Sequence, residues 1–270
     1  MPLAVCATPI GNLDDVTLRV LSELRGADVV LCEDTRRTRI LLARHGLRAP
    51  LTSYHRLNEA SRLPEALRRL EAGERVVLVS DAGLPGVNDP GARLIVAAIE
   101  AGLPVTVLPG PSAVETALVA SGLVGEGYRF VGYLPRRAAE RAALAEDLAS
   151  WPGAVVAFDS PRRVRASLAA LAAVMPERPA ALCRELTKRF EEVVRGSLAE
   201  LAERVTEPVR GEVTLVLGAV AVASSVAAGA DDARRAVAEL VEAGAGRRQA
   251  ADVVARLTGH SRNELYRASL

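Results

Sequence analysis

Four continuous apolar runs of strand length, each followed at once by a loop of glycine, proline and carboxylates, constrain this chain more than any other feature. LAVCAT (3–8), DVVLC (28–32), RVVLVS (75–80) and PVTVLP (104–109) show no polar–apolar alternation. Strands buried on both faces of a parallel sheet read this way. Helical spacings lie between them: Val16, Leu18, Val20, Leu21 and Leu24, then 40–43, then Ala66, Leu67 and Leu70, then 94–99. Strand and helix in alternation predict an α/β domain with a mainly parallel sheet. Pro111 opens a further helix over 113–120, and the turn-rich stretch 122–127 marks a first boundary.

A second α/β unit follows. YRFVGYL (128–134), AVVAFDS (154–160), AALC (180–183), EEVVRG (191–196) and EVTLVLG (212–218) are its strand candidates, with helices at 138–149, 162–174 and 197–205. The small-residue stretch 219–230 has the character of a linker. Three short helices then occupy 231–244, 247–259 and 261–270, with Asp231 or Asp232 as N-cap and Gly244 and Gly259 as stops. Small Ala250 and Ala251 on the middle helix give the outline of a helix-turn-helix, although a plain three-helix appendage has the same spacing. The expected division is 1–122, 123–218, a linker at 219–230 and a tail at 231–270.

Charge and composition exclude several classes. Lys and Arg number 34 against 33 Asp and Glu, so any nucleic-acid surface must be a local patch. Aromatics at 3% leave little for a base-stacking platform. Cys6, Cys32 and Cys183 are far apart and form no CxxC pair, which excludes a disulfide framework or cysteine zinc site and suits a reducing compartment. With His45, His55 and His260 as the only histidines, no metal centre is expected. No apolar run reaches the roughly 18 residues of a membrane span, and the first residues have no basic signal region. The expectation is a cytoplasmic protein with no membrane segment.

In an open parallel sheet, ligands bind beyond the carboxyl ends of the strands. The residues there are 8–12, 33–37, 81–91 and 109–113. Glycine permits close backbone approach, and Pro111 at a helix start leaves N–H groups free to face an anion. There is no GxxxxGK[ST], no GxGxxG after the first strand and no GxSxG. A P-loop NTPase, an ordinary dinucleotide fold and a serine nucleophile elbow are thereby disfavoured.

ATPIGNLDDVTLRVL, CEDTRRTRILL, SYHRLNE, VSDAGLPGVNDPG, LPGPSAV, FDSPRRV, RELTKRFEEVVRGSL and GEVTLVLG fall in order along the chain. Together they resemble the tetrapyrrole methylase superfamily, in its branch acting on small-subunit ribosomal RNA. The resemblance implies two α/β domains with a cofactor cleft between them, and a helix-turn-helix-like tail. It implies S-adenosylmethionine as methyl donor, a homodimer, and 2′-O-methylation of a cytidine ribose in 16S rRNA of the small ribosomal subunit. By the same resemblance the cofactor lies against Pro9, Ile10, Asp81, Ala82 and Gly83, against Pro109, Gly110, Pro111, Ser112 and Ala113, and against Phe158.

A ribose hydroxyl is a weak acid, so a base or a cationic neighbour should assist transfer. Glu33 and Asp34 after the second strand, and Glu185 with Lys188 in RELTK, are the candidates. Asp34 could equally cap a helix, and Glu185 could equally serve a structural ion pair. Lys188 is the sole lysine, and a lysine of lowered pKa can act as a base where arginine cannot. Arg36, Arg37 and Arg39, and Arg162, Arg163 and Arg165, follow strand ends and suit phosphate. His55 and Asn58 could face a base or ribose, or cap the following helix. Two other functions remain: a precorrin-type methylase, and a ligand-sensing DNA-binding regulator. For the latter, Arg247, Arg248, Arg256, Arg262 and Arg267 are offset by Asp231, Asp232, Glu239, Glu242, Asp252 and Glu264, a weak balance for a DNA reader.

Overall fold

The computed structural model describes residues 3–205, 208–220 and 230–268. The chain forms one compact unit, Met1–Ala219, and a second, Val220–Leu270. The first half of the larger unit contains β1 (Leu3–Cys6), α1 (Leu18–Gly26), β2 (Val29–Cys32), α2 (Thr35–Arg44), β3 (Leu51–Ser53), α3 (Glu59–Glu71), β4 (Val76–Val79), α4 (Ala92–Glu100), β5 (Val105–Leu108) and α5 (Ala113–Ser121). The five strands are parallel, in the order β3-β2-β4-β1-β5.

Side-chain alternation explains why the apolar runs are unbroken. Leu3, Val5, Val29, Leu31, Val76 and Leu78 face α3 and α4, where Leu70, Leu94 and Ala98 meet them. Their neighbours Ala4, Cys6, Val30, Cys32, Val77 and Val79 face α1 and α2, where Val20, Leu24 and Leu42 meet them. The central strands β1, β2 and β4 are covered on both faces and have no wet side, so no polar residue is called for there.

The second half contains β6 (Tyr128–Tyr133), α6 (Ala138–Ala149), β7 (Ala154–Asp159), α7 (Val164–Val174), β8 (Pro179–Arg184), β9 (Glu192–Ser197), α8 (Leu198–Arg204) and β10 (Val213–Leu217). Its sheet runs β6-β7-β10-β8-β9; β6 and β7 pair in parallel and the other pairs are antiparallel. One face packs on α6, α7 and α8 through Leu148, Leu168, Leu171, Leu198 and Leu201. The other packs on α5, whose Val114, Ala117 and Leu118 meet Ala154, Val156, Ala181, Cys183 and Val216. Thus α5, which follows the first sheet in the chain, covers the second. Arg178 is buried without a carboxylate partner and instead donates to the carbonyls of Leu148, Trp151, Gly153 and Gly218.

The sequence reading passed over β3, an edge strand of three half-buried residues, two of them Thr52 and Ser53. Most of the expected linker, 219–230, lies outside the described residues. The second unit holds α9 (Ala230–Glu242), α10 (Arg247–Thr258) and α11 (Arg262–Ala268) around Ala233, Val237, Ala250, Ala251, Val254 and Leu265. Gly259, at φ 75°, stops α10, and three residues separate α10 from α11. The expected N-cap is corrected: Asp231 and Asp232 sit inside the first turn of α9. There they suit the helix dipole and pair with Arg234 and Arg235.

Candidate active site

The loops after β1 and β4 are locked together. Thr8 donates its N–H to the Gly83 carbonyl at 2.8 Å, and Gly83 returns an N–H to the Thr8 carbonyl at 2.9 Å. Gly83 has φ 81°, a conformation that costs other residues strain. The loop after β5 leads into α5. Its N-cap residue Ser112 forms no side-chain cap; the hydroxyl is bonded to Glu115, which also accepts from Tyr128. The first N–H groups of α5 are therefore not capped by Ser112. Across the gap, at the end of β7, Phe158 sits edge-on to Phe130 at 5.0 Å and Tyr133 at 5.5 Å.

These walls enclose a cavity of about 750 Å³. Ile10, Asp81, Ala82, Gly83, Pro109, Gly110, Pro111, Ser112, Ala113 and Phe158 all line it. Pro9 lines an adjoining recess of about 250 Å³ together with Arg37, Lys188 and Glu212. At Gly83 an added Cβ would have no neighbour nearer than 3.8 Å, whereas at Gly110 it would meet the Ala7 Cβ at 2.9 Å. Glycine at 110 thus answers to packing between neighbouring strands.

The candidate bases separate by their partners. Asp34 caps α2, accepting the Arg36 N–H at 2.8 Å and pairing with its guanidinium. Those bonds hold its carboxyl down at about 2. Glu185 and Glu212 both accept from the Lys188 ammonium at 2.9 Å. Burial pulls the Lys188 pKa down, but the hydrogen bonds it donates to both carboxylates outweigh burial and raise it, which suits a cation better than a proton-abstracting lysine. Glu185 is lowered by Lys188 and by the Glu212 N–H. Glu33 is raised, first by burial and then by Asp81.

Arg36, Arg37 and Arg39 are exposed on α2, and Arg37 reaches the cavity wall and lies 3.6 Å from Asp81. Arg162 and Arg165 are exposed beside β7, while Arg163 is turned inward onto Asp159 at 3.2 Å. His55 and Asn58 close a turn: Asn58 accepts the His55 N–H at 2.8 Å and donates to the Ser53 carbonyl. Sequence reasoning passed over Asp89, Tyr133 and Glu212, all on the cavity wall. For Asp89 a signal existed, since it stands in the same Gly/Pro-rich loop as Asp81.

The sequence profile described as Tetrapyrrole (Corrin/Porphyrin) Methylases matches residues 2–202. The chain belongs to the tetrapyrrole methylase family. Among curated methylase relatives, "Ribosomal RNA small subunit methyltransferase I" of Micromonospora olivasterospora is 47% identical, covering 98% of this chain and 85% of that protein. The protein of the same name from Mesorhizobium japonicum is 41% identical over 99% and 91%. Among solved structures, the methyltransferase CobJ superposes with a TM-score of 0.60 at 23% identity, covering 82% of this chain and 95% of that one, a likeness of fold.

The methylase cavity fits an amino-acid-bearing nucleoside in size and in kind. Binding sites for such ligands span about 300–1,000 Å³ and are mostly apolar, with a few placed polar groups. Here Ile10, Phe130 and Phe158 supply apolar wall, and the start of α5 offers backbone donors to a carboxylate. Among the described residues no group of three His, Cys, Asp or Glu side chains could hold a metal ion, and no helix is long and apolar enough to cross a membrane.

Proposed function

We propose that this protein transfers a methyl group from S-adenosylmethionine to the ribose 2′-hydroxyl of a cytidine in 16S rRNA of the small ribosomal subunit. The observation that carries the reading is near full-length kinship, at 47% and 41% identity, with proteins named as small-subunit ribosomal RNA methyltransferases. S-adenosylmethionine, when bound, supplies an electrophilic methyl on a sulfonium. The chain's own task is to hold donor and acceptor in line and to keep water out.

The Asp81–Gly83 turn, the 109–113 loop and Phe158 hold the donor, with the start of α5 receiving its carboxylate. Arg36, Arg37 and Arg39 on one side of the mouth, and Arg162 and Arg165 on the other, receive RNA phosphates. The resemblance also carries a homodimer acting in the cytoplasm; three free, buried thiols suit a reducing compartment.

Methyl-labelled donor offered with small subunits, naked rRNA and a tetrapyrrole side by side tests this reading. Label is expected in the subunit, at a ribose. Label in the tetrapyrrole alone would replace it with a small-molecule methylase, and label at a base would refute the ribose assignment.

A further inference from the structure

Five carboxylates among the described residues line the cavity: Asp81, Asp89, Glu115, Asp159 and Glu212. Four are committed elsewhere. Asp81 accepts the Asp34 N–H at 3.0 Å and pairs with Arg37. Glu115 accepts from Ser112 and Tyr128, and Glu212 from Lys188; Asp159 is buried, its Oδ1 accepting the Ser160 N–H and pairing with Arg163, while its Oδ2 has no partner among the described residues. Asp89 forms no ion pair among the described residues, and the Ser80 hydroxyl donates to the Gly83 carbonyl at 3.0 Å.

Its backbone is nonetheless fixed. Asn88, at φ 61°, and Gly91, at φ 124°, turn the chain sharply on either side. Arg56 donates to the Asn88 carbonyl at 3.1 Å, and Gly91 lies so close to Leu78 that a Cβ would come within 2.7 Å. A sharply turned loop therefore presents to the cavity a carboxylate that no cation among the described residues pairs with.

We propose that Asp89 takes the proton from the acceptor hydroxyl. The inference rests on the ribose methyltransferase reading above. The hydroxyl oxygen bonds to the methyl carbon while the carbon–sulfur bond breaks and its electron pair returns to sulfur. The proton passes to Asp89 and then to water. Burial, then Glu33 and Asp81, push the Asp89 carboxyl up to about 6, against the Ser80 hydroxyl and Arg56. A base poised near neutrality combines basicity with a deprotonated resting form. The groups facing it are Glu33 after β2, Arg56 after β3, Asp81 on its own loop and Tyr133 of β6. Arg37 and His55 flank Glu33, and Arg163 and Glu212 flank Tyr133.

Three measurements test this: single-turnover methyl transfer to small subunits across pH, calorimetry with S-adenosylhomocysteine, and carboxyl 13C titration of Asp89 in the ligand-free protein. Asp89→Asn should bind S-adenosylhomocysteine as wild type does, yet transfer methyl about 10²–10⁴-fold more slowly at pH 8. In wild type the rate should fall with a midpoint near the Asp89 value of about 6. Glu33→Gln removes a neighbouring negative charge, so both that midpoint and the 13C titration should move to lower pH. Transfer by Asp89→Asn within threefold of wild type, loss of S-adenosylhomocysteine binding, or an unmoved midpoint in Glu33→Gln would each overturn the proposal. Failure of the wider reading looks different, because the wild-type protein itself would then leave small subunits unlabelled.

Discussion

Lys188 holds its ammonium nitrogen 2.9 Å from a carboxylate oxygen of Glu212 and the same distance from Glu185. Two acidic partners fix the lysine as a cation on the wall of the recess shared with Pro9, which disfavours it as a proton-abstracting base. Lys188→Arg keeps that charge and should transfer methyl within a few-fold of wild type in single turnover. Lys188→Met leaves two carboxylates facing each other and should cost about 1–2 kcal/mol in urea unfolding, a figure already discounted for partial exposure. A hundredfold slower Lys188→Arg with unchanged ligand binding would return the lysine to the chemistry.

Acid should act on this cluster and on the cap of α2. The Glu185 carboxyl is held below its usual 4.5, and Asp34 is held at about 2 against 3.8. Depressed carboxylates stabilise the fold fully above their unfolded values and lose that contribution as pH falls through the folded ones. Stability should therefore decline as pH falls below about 4.5, the Asp34 share being lost as pH passes through about 2. Glu185→Gln and Asp34→Asn should each flatten part of this decline in pH-dependent urea titrations.

The two cofactor-loop glycines should fail in different ways. Gly83→Val projects into open cavity and should abolish S-adenosylhomocysteine binding in calorimetry, with strain of about 1–2 kcal/mol from its positive φ. Gly110→Ala presses on Ala7 and should lower unfolding stability by about 1–3 kcal/mol, as overpacking does. Wild-type affinity in Gly83→Val would displace the donor from this cavity.

Replacing Arg36, Arg37 and Arg39 together with Ala should weaken small-subunit binding. If all three meet phosphates, the slope of log affinity against log salt should shallow by about 2–3, at roughly 0.7–0.9 per contact. An unchanged slope would make this face of α2 merely solvated.

Much of the fold was legible because the central strands of the first sheet are covered on both faces, which forced unbroken apolar runs at β1, β2 and β4. Strand β3 was not, since an edge strand of Leu51, Thr52 and Ser53 carries too few apolar residues to register. The buried Arg178 was equally hidden: an arginine reads as surface until four distant carbonyls converge on it. In the site, glycine and proline betrayed the loops, and ten of the eleven expected cofactor residues line the main cavity. Which carboxylate stays uncommitted could not be read. Arg36 and Lys188 stand only two and three residues from Asp34 and Glu185, but the fold decides whether such a neighbour turns onto the carboxylate, and Glu185 also takes the distant Glu212 N–H.

The packing of α5 on the second sheet has a last consequence, for how the gene product can be divided. A cut after residue 122 would strip Ala154, Val156, Ala181 and Val216 of their cover and leave the other fragment with an orphaned apolar helix. Fragments made that way should precipitate or recombine. The crossing from one half to the other begins in the 109–113 loop, so the segment proposed to grip the donor is also where the chain passes from one sheet to the other. Selection cannot shuffle either half onto a new partner without rebuilding the grip, and the two halves must be inherited as one piece.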